Sequence, residues 1–150
     1  MADVRIELEG YSREDVEAIV TDMIATTRRA VELTAIEAWG QVKRESPVDQ
    51  GNLASRWDLT QKGEMEWSVY TNVAYALAVH EGRDPGPAPW GPIELWAKRK
   101  GLPPGPVYGK IVYHGTEPNR FVDRAVDSTY DRVDEFITRA IREVYQQNEG

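Results

Sequence analysis

The stretch that decides the fold runs from Ser12 to Ser46 and reads SREDVEAIVTDMIATTRRAVELTAIEAWGQVKRES. Apolar and small side chains recur in it every three or four residues, the spacing of one face of an α-helix. They are Val16, Ile19, Val20, Met23, Thr27, Ala30, Val31, Thr34, Ala38 and Val42. The pattern predicts a helix of about 50 Å, longer than a chain of 150 residues usually covers. We therefore expect a kink near Gly40 or a neighbouring subunit over the excess.

Local signals mark both ends of this helix. The Ser12 hydroxyl is placed to accept a hydrogen bond from the Asp15 amide, and Asp15 puts negative charge in the first turn. Pro47 disfavours helix in the residue before it, so the helix should end at Ser46. A second long helix is predicted after Phe121, and residues 146–150 are expected to fray. Its apolar stripe consists of Val122, Val126, Tyr130, Val133, Ile137, Ala140, Ile141 and Val144.

Alternating apolar residues between and before the helices predict strands. One strand face carries Leu53, Ser55, Trp57 and Leu59, and after a turn at TQKGE the next carries Met65, Trp67, Val69, Thr71 and Val73. Val4, Ile6 and Leu8 predict a further short strand. The expected fold is a single α+β domain over residues 1–150, with long N- and C-terminal helices on a small, mainly antiparallel sheet. Two strands alone are marginal, so the hairpin needs support from helices, another strand or another chain.

Residues 82–118 differ from the rest because they are rich in proline and glycine. The segment IELWAKRK, with Pro92 before it and Gly101 after it, predicts a short helix. VYGKIVYH fits a short helix and nearly as well a strand, and AYALAVHEG just before the segment is equally open. Long irregular excursions of this kind tend to carry function.

Charge and composition exclude several classes of protein. The net charge is −7 and the isoelectric point is near 4.9, whereas proteins that grip phosphates usually present a basic face. No apolar run approaches the roughly 20 residues of a membrane span. Cysteine is absent, which excludes disulfides and thiolate metal sites.

Chemistry-bearing residues are few. His80, Glu81 and Asp84 are the one cluster that suggests a divalent-metal hydrolase, but His80 lacks the partner four residues away that a metalloprotease helix supplies, and nothing brings His114 near. Asp49 is better explained as a turn former beside Gly51. We found no nucleophile elbow and no phosphate-binding loop, so we expect neither catalysis nor a cofactor.

The five tryptophans divide into two groups. Trp39, Trp57 and Trp67 fit core faces. Trp90 and Trp96 lie in the 82–118 excursion, where an indole either pins the segment down or enters an interface, in which tryptophan is enriched. The basic triplet Lys98, Arg99 and Lys100 is either a solvent-facing helix end or a set of partners for an acidic neighbour. A peptide-binding module that uses Trp90 and Trp96 is a further alternative.

Three short blocks, in this order, carry a family resemblance. The first is matched by Pro47, Val48, Asp49, Gly51 and Leu53, the second by Tyr75, Ala76, Val79, Glu81 and Gly82, and the third by Gly115, Thr116, Pro118 and Phe121. Their order and spacing over about residues 15–135 resemble the tail-completion, or neck, proteins of long-tailed bacteriophages and related gene-transfer particles. Gln50 and Arg120 depart from the pattern, since the family usually has threonine and proline there.

The resemblance implies a structural role without catalysis or cofactor. Such proteins assemble as rings, usually six-fold, between the head-closure or connector proteins and the tail terminator or tail tube. DNA would pass through the channel without specific binding, and the protein would be found in the virion, after assembly in the host cytoplasm. The alternative within this class is the tail terminator that caps the tube. The excursion and its candidate interface residues Trp90, Trp96, Lys98, Arg99 and Lys100 are expected to contact the neighbouring subunit or ring.

Overall fold

The computed structural model of the chain describes residues 9–47, 53–73 and 75–149. Its elements in chain order are α1 (Arg13–Glu45), a 3₁₀ turn (Ala54–Arg56), β1 (Trp57–Gly63), β2 (Glu66–Thr71), α2 (Ala76–Glu81), α3 (Trp90–Arg99), α4 (Pro104–His114), α5 (Phe121–Tyr130) and α6 (Val133–Asn148). The strands form an antiparallel pair that packs on α1, and α5 and α6 pack along α1 rather than on the sheet. The predicted α+β class is confirmed. The strand predicted at Val4, Ile6 and Leu8, and the block residues Val48, Asp49 and Gly51, lie outside the described residues.

Helix α1 begins and ends where its capping signals predict. The Ser12 hydroxyl accepts a hydrogen bond from the Asp15 amide (3.1 Å), and the Asp15 carboxylate accepts one from the Ser12 amide (2.8 Å). The second bond stabilises the ionised carboxylate and lowers the pKa of Asp15. The helix continues through Gly40 and ends at Glu45, and Ser46 has extended backbone angles before Pro47. The helix is therefore one uninterrupted element of 33 residues.

Ser46 joins the end of α1 to the hairpin. Its buried hydroxyl donates to the Val42 carbonyl (2.6 Å) and accepts from the Trp57 indole (3.0 Å). The Trp39 indole in turn donates to the Trp57 carbonyl (2.7 Å). These bonds satisfy the polar atoms of two large aromatic residues and fix the first strand against the helix.

The hairpin is longer at its tip than predicted and shorter at its base. Pairing runs from Trp57 opposite Thr71 to Gly63 opposite Glu66, with an irregularity between Gln61 and Gly63. Leu53 precedes a 3₁₀ turn instead of lying in a strand. The predicted turn at TQKGE was wrong because Gly63 sits at the bulge, as glycines inside strands often do, and the turn follows it.

The predicted single C-terminal helix was wrong, since the chain breaks between α5 and α6 at Asp131 and Arg132. The predicted buried stripe was right at Ala140 and Val144 and wrong at several other positions. Phe121, Ala125, Thr129 and Phe136 are buried, whereas Val126, Tyr130, Ile137 and Ile141 are 42–77% exposed. Helix α6 continues to Asn148, whose side-chain amide donates to the Asp22 carboxylate of α1 (2.9 Å).

The apolar interior has two parts. The larger cluster lies where the hairpin, α2, α5 and the end of α1 meet, and contains Val42, Leu53, Trp57, Ala76, Phe121 and Ala125. The smaller lies between α1 and α6 and contains Leu33, Phe136 and Ala140. In the described part of the chain, no buried side-chain nitrogen or oxygen lacks a hydrogen-bond partner.

The 82–118 segment is more regular than an irregular excursion. It contains α3 and α4, which pack on each other and have sparse contact with the other helices and strands. The segments AYALAVHEG and VYGKIVYH, both open between helix and strand from the sequence, form α2 and α4. We call α3, α4 and their connections the arm.

Candidate functional site

The second and third family blocks, and the described end of the first, meet around Phe121. This side chain is fully buried, and its ring makes edge-on contacts with Trp57 (centroids 6.2 Å apart) and His80 (5.7 Å). Leu53 and Ala76 belong to the same cluster, and Val79 packs against it. Residues separated by almost 70 positions in the sequence therefore share one core.

Two glycines of these blocks allow the base of the arm to close. Arg83 and Thr116 exchange two backbone hydrogen bonds (3.0 and 2.8 Å). Gly82 and Gly115 flank this bridge with φ of 77° and 72°, a region that disfavours other residues. A β-carbon at Gly82 would overlap the Thr116 carbonyl oxygen, and one at Gly115 would overlap the Arg83 carbonyl oxygen.

His80 caps helix α5 from a different element. Its Nδ1 accepts a hydrogen bond from the Val122 amide (3.3 Å), one of the first amides of α5, and its Nε2 lies 3.5 Å from an Asp123 carboxylate oxygen. The backbone of α2 assists, because the Val79 and His80 carbonyls accept from the Asn119 and Arg120 amides (both 3.0 Å). This contact binds the second block to the third, and sequence spacing gave no signal for it.

Arg120 has an unusual backbone conformation. Its φ is 56°, the left-handed region, immediately before α5 begins. Proline, whose φ is locked near −65°, could not adopt this conformation. The conformation costs about 1–2 kcal/mol for a residue with a side chain, which the surrounding hydrogen bonds must offset.

The candidate metal residues do not form a site together. His80 is used as described, while Glu81 and Asp84 are exposed. Within residues 9–47, 53–73 and 75–149, no group of three or more His, Cys, Asp or Glu side chains is placed to hold a metal ion.

The arm residues have mixed placements. The Trp90 ring packs edge-on against Tyr108 (5.1 Å), whose hydroxyl donates to the Ala88 carbonyl (3.0 Å), so Trp90 pins α3 to α4. Trp90 and Trp96 nevertheless remain 44% and 36% exposed. Lys98 pairs with Glu94 of its own helix (2.8 Å), and Arg99 and Lys100 are exposed at the end of α3.

The predicted stripe of α1 is exposed between Ile19 and Thr27 and half-buried from Ala30 to Ala38. Val42 is buried, but Ile19, Val20 and Met23 are 48–64% exposed. The buried contacts of the middle of α1 come instead from Leu33, which lies beside the stripe. Helices α5 and α6 also present exposed apolar side chains, namely Val126, Tyr130, Ile137, Ile141 and Tyr145.

Ion pairs lie along one side of the contact between α1 and α6. Arg29 bonds to Glu143 (2.5 Å) and to Glu32 (2.9 Å), and Arg139 bonds to Glu143 (2.9 Å). The hydrogen bond from Arg29, aided by the one from Arg139, lowers the pKa of the Glu143 carboxyl. A shallow cavity of about 440 Å³ lies nearby between α1 and the hairpin, where Arg28 already pairs with Glu64 (2.6 Å).

Comparisons with known proteins add no relative. No protein-family model, no curated protein and no solved structure matches the chain. None of the described helices is both long enough and apolar enough to cross a membrane.

Proposed function

We propose that this protein is a virion structural protein that joins a phage head to its tail, as one subunit of a ring around the DNA channel. The observation that carries the proposal is the exposed apolar surface of the arm, where Trp90, Leu95, Trp96 and Leu102 are 36–59% exposed. Monomeric soluble proteins rarely expose contiguous apolar patches of that kind, which usually mark protein contacts.

We infer the kind of particle from the resemblance of the three sequence blocks to the neck proteins of long-tailed bacteriophages. The blocks that the structure describes contribute to one core and one bridge, around Phe121, Gly82 and Gly115. This is what a family pattern should do when it preserves a fold rather than a catalytic centre. The proposal therefore assigns these residues structural roles and no catalysis.

Ring contacts would come from the arm and the hairpin. The arm stands apart from the other elements and exposes Trp90, Trp96 and Leu95, side chains suited to a neighbouring subunit or layer. The hairpin strands pair only with each other among the described residues, which leaves two edges for pairing around a circle. A net charge of −7 would limit adhesion of DNA in the channel.

The test is reconstitution with the heads and tail tubes encoded beside this gene, followed by electron microscopy. We expect the protein to bind tail-proximal heads or tube ends as rings, and Trp96→Asp to weaken that binding while Tyr130→Asp, outside the arm, does not. Binding to tube ends alone would favour the tail terminator. A folded protein that joins neither component would refute the proposal, as would neighbouring genes unrelated to virions.

A further inference from the structure

Two rows of exposed apolar side chains lie on the same side of the seam between α1 and α6. The Arg29–Glu143 pair crosses one rim of this seam, and Leu33 with Phe136 forms its floor. Each residue advances about 100° around a helix axis, so the positions farthest from the ion-pair rim lie together at the opposite rim. On α1 they are the exposed Ile19, Val20, Met23 and Thr27 and the half-buried Ala30, Val31 and Thr34, of which Ala30 also packs against the floor; on α6 they are the exposed Ile137, Ile141 and Tyr145. We call these residues the seam face.

The seam face contains no charged residue. From Ile19 to Thr34 it is about 22 Å long, and two helices side by side make it about 20 Å wide. Two such faces in contact would bury on the order of 1,000 Å², about the least area that a specific interface needs. An uncharged surface of this size fits another apolar surface and neither a nucleic acid nor an anionic membrane.

The two halves of the seam face complement each other in shape. The α1 half forms a groove between Thr27 and Thr34, because its side chains there are threonine, alanine and valine. The α6 half is a ridge of larger side chains, Ile137, Ile141 and Tyr145. A ridge of one helix packs into a groove of another, and here a second copy of the same face supplies both the matching groove and the matching ridge.

We propose that the seam face is the contact between two copies of this chain, related by a two-fold axis parallel to α1. In this arrangement α1 of each copy packs antiparallel on α6 of the other, which makes a four-helix bundle. The Asp22–Asn148 and Arg29–Glu143 pairs set the level of α6 along α1, so Thr27 faces Tyr145 of the second copy and Thr34 faces Ile137. Beyond Asn148 both α6 helices have ended, and Ile19 and Val20 of the two copies face each other.

This contact goes beyond the head–tail role and does not depend on it. Neighbours in a closed ring use two different patches, whereas a two-fold contact uses one patch twice. The two proposals therefore fail separately, since a protein can pair through the seam face whether or not it joins a particle.

The first experiment measures the mass of the full chain by analytical ultracentrifugation across the micromolar range. We expect a dimer, and we expect Ile141→Glu and Thr27→Arg, one on each half of the face, each to raise the dissociation constant at least tenfold. Ile36→Glu is the matched control, because Ile36 lies on α1 outside the seam face and is exposed to the same degree as Ile141, 43% against 42%. Circular dichroism checks that each variant is folded. A wild-type monomer, or equal weakening by Ile36→Glu, would overturn the proposal.

The second experiment tests the arrangement of the helices, using the fact that the chain has no cysteine. Thr27→Cys and Tyr145→Cys proteins are oxidised separately and as a mixture, and disulfide-linked dimers are counted on a non-reducing gel. Because a disulfide needs Cα atoms within about 7 Å, the mixture should link and neither protein alone should. Linking of Thr27→Cys to itself would place α1 against α1 and contradict the proposed axis.

Discussion

The two ends of α1 are covered very differently. Around its C-terminal end, Val42 and Trp39 meet Trp57, Phe121 and α2, and elements from across the sequence enclose one cluster. Around its middle, α6 covers one side of α1 through Leu33 and a row of ion pairs, and nearer the N-terminal end Ile19, Val20 and Met23 are 48–64% exposed. The first region is an enclosed core, whereas the second keeps large apolar side chains at its surface.

The largest loss of stability is expected from a change in the buried cluster at the C-terminal end of α1. Phe121→Ala removes a fully buried ring that contacts both Trp57 and His80, and should lower the free energy of unfolding by about 3–5 kcal/mol. Tyr130→Ala, at an exposed position on the same helix, should change the free energy of unfolding by less than about 0.5 kcal/mol. Urea unfolding followed by tryptophan fluorescence measures both. Similar losses for the two variants would mean that the enclosed end is not the core.

A smaller loss is expected at the base of the arm. Gly115→Ala places a β-carbon against the Arg83 carbonyl in a backbone region that disfavours alanine, so stability should fall by at least about 2 kcal/mol. Gly105→Ala is the matched control, since Gly105 has open space and lies in the first turn of α4. It should stay within about 1 kcal/mol of the wild type. Thermal unfolding of the two variants checks the difference, and equal stability would refute the close contact.

A variant of His80 distinguishes two roles for this residue, a cap of helix α5 and a metal ligand. His80→Ala loses the Val122 cap and the edge-on ring contact and should cost about 2 kcal/mol. Adding Zn²⁺, Mn²⁺ or Mg²⁺ should leave the melting temperature of the wild type unchanged. A metal-dependent rise that disappears in His80→Ala would instead support the hydrolase alternative.

The smallest loss of stability is expected from the Arg29–Glu143 ion pair between α1 and α6. Because Arg29 lowers the pKa of Glu143 in the folded protein, this pair stabilises the fold above the ordinary carboxyl value of 4.5 and loses that contribution as the pH falls below it. Glu143→Gln should therefore be less stable than the wild type at neutral pH and approach it in acid. Gln146→Ala, an exposed change on α6 that removes no titratable group, should keep the wild-type pH profile. Unfolding curves between neutral and acid pH measure the difference, and parallel curves for wild type and Glu143→Gln would contradict it.

The sequence predicted the ends of α1 well because Ser12, Asp15 and Pro47 act locally. It mixed two apolar rows of the C-terminal segment that run side by side, the buried row through Ala125, Ala140 and Val144 and the exposed row through Val126 and Ile141. Periodicity gives the spacing of a row, but only tertiary packing decides which row is buried. The apolar pattern did not reveal the break at Asp131. The buried residues Thr129 and Phe136 are seven residues apart, about two helical turns, so the spacing of buried residues is the same as in an unbroken helix.

The candidate site was predictable only in part. The blocks identified Phe121, Gly82 and Gly115, whose roles are steric and therefore demand particular residue types. The His80 cap joins elements about 40 residues apart and depends on where one ring nitrogen points, which no spacing encodes. Trp90 was predicted either to pin the excursion or to enter an interface; it packs on Tyr108 within the arm, and its part in an interface stays a prediction.

The backbone bridge between Arg83 and Thr116 brings the two points where the chain leaves and re-enters the body side by side. A short loop in place of residues 84–115 would span the same gap, so the body can tolerate arms of other lengths without rebuilding its interior. Arms of different length and surface could therefore be carried by the same body, which would change what the protein contacts without changing how it folds.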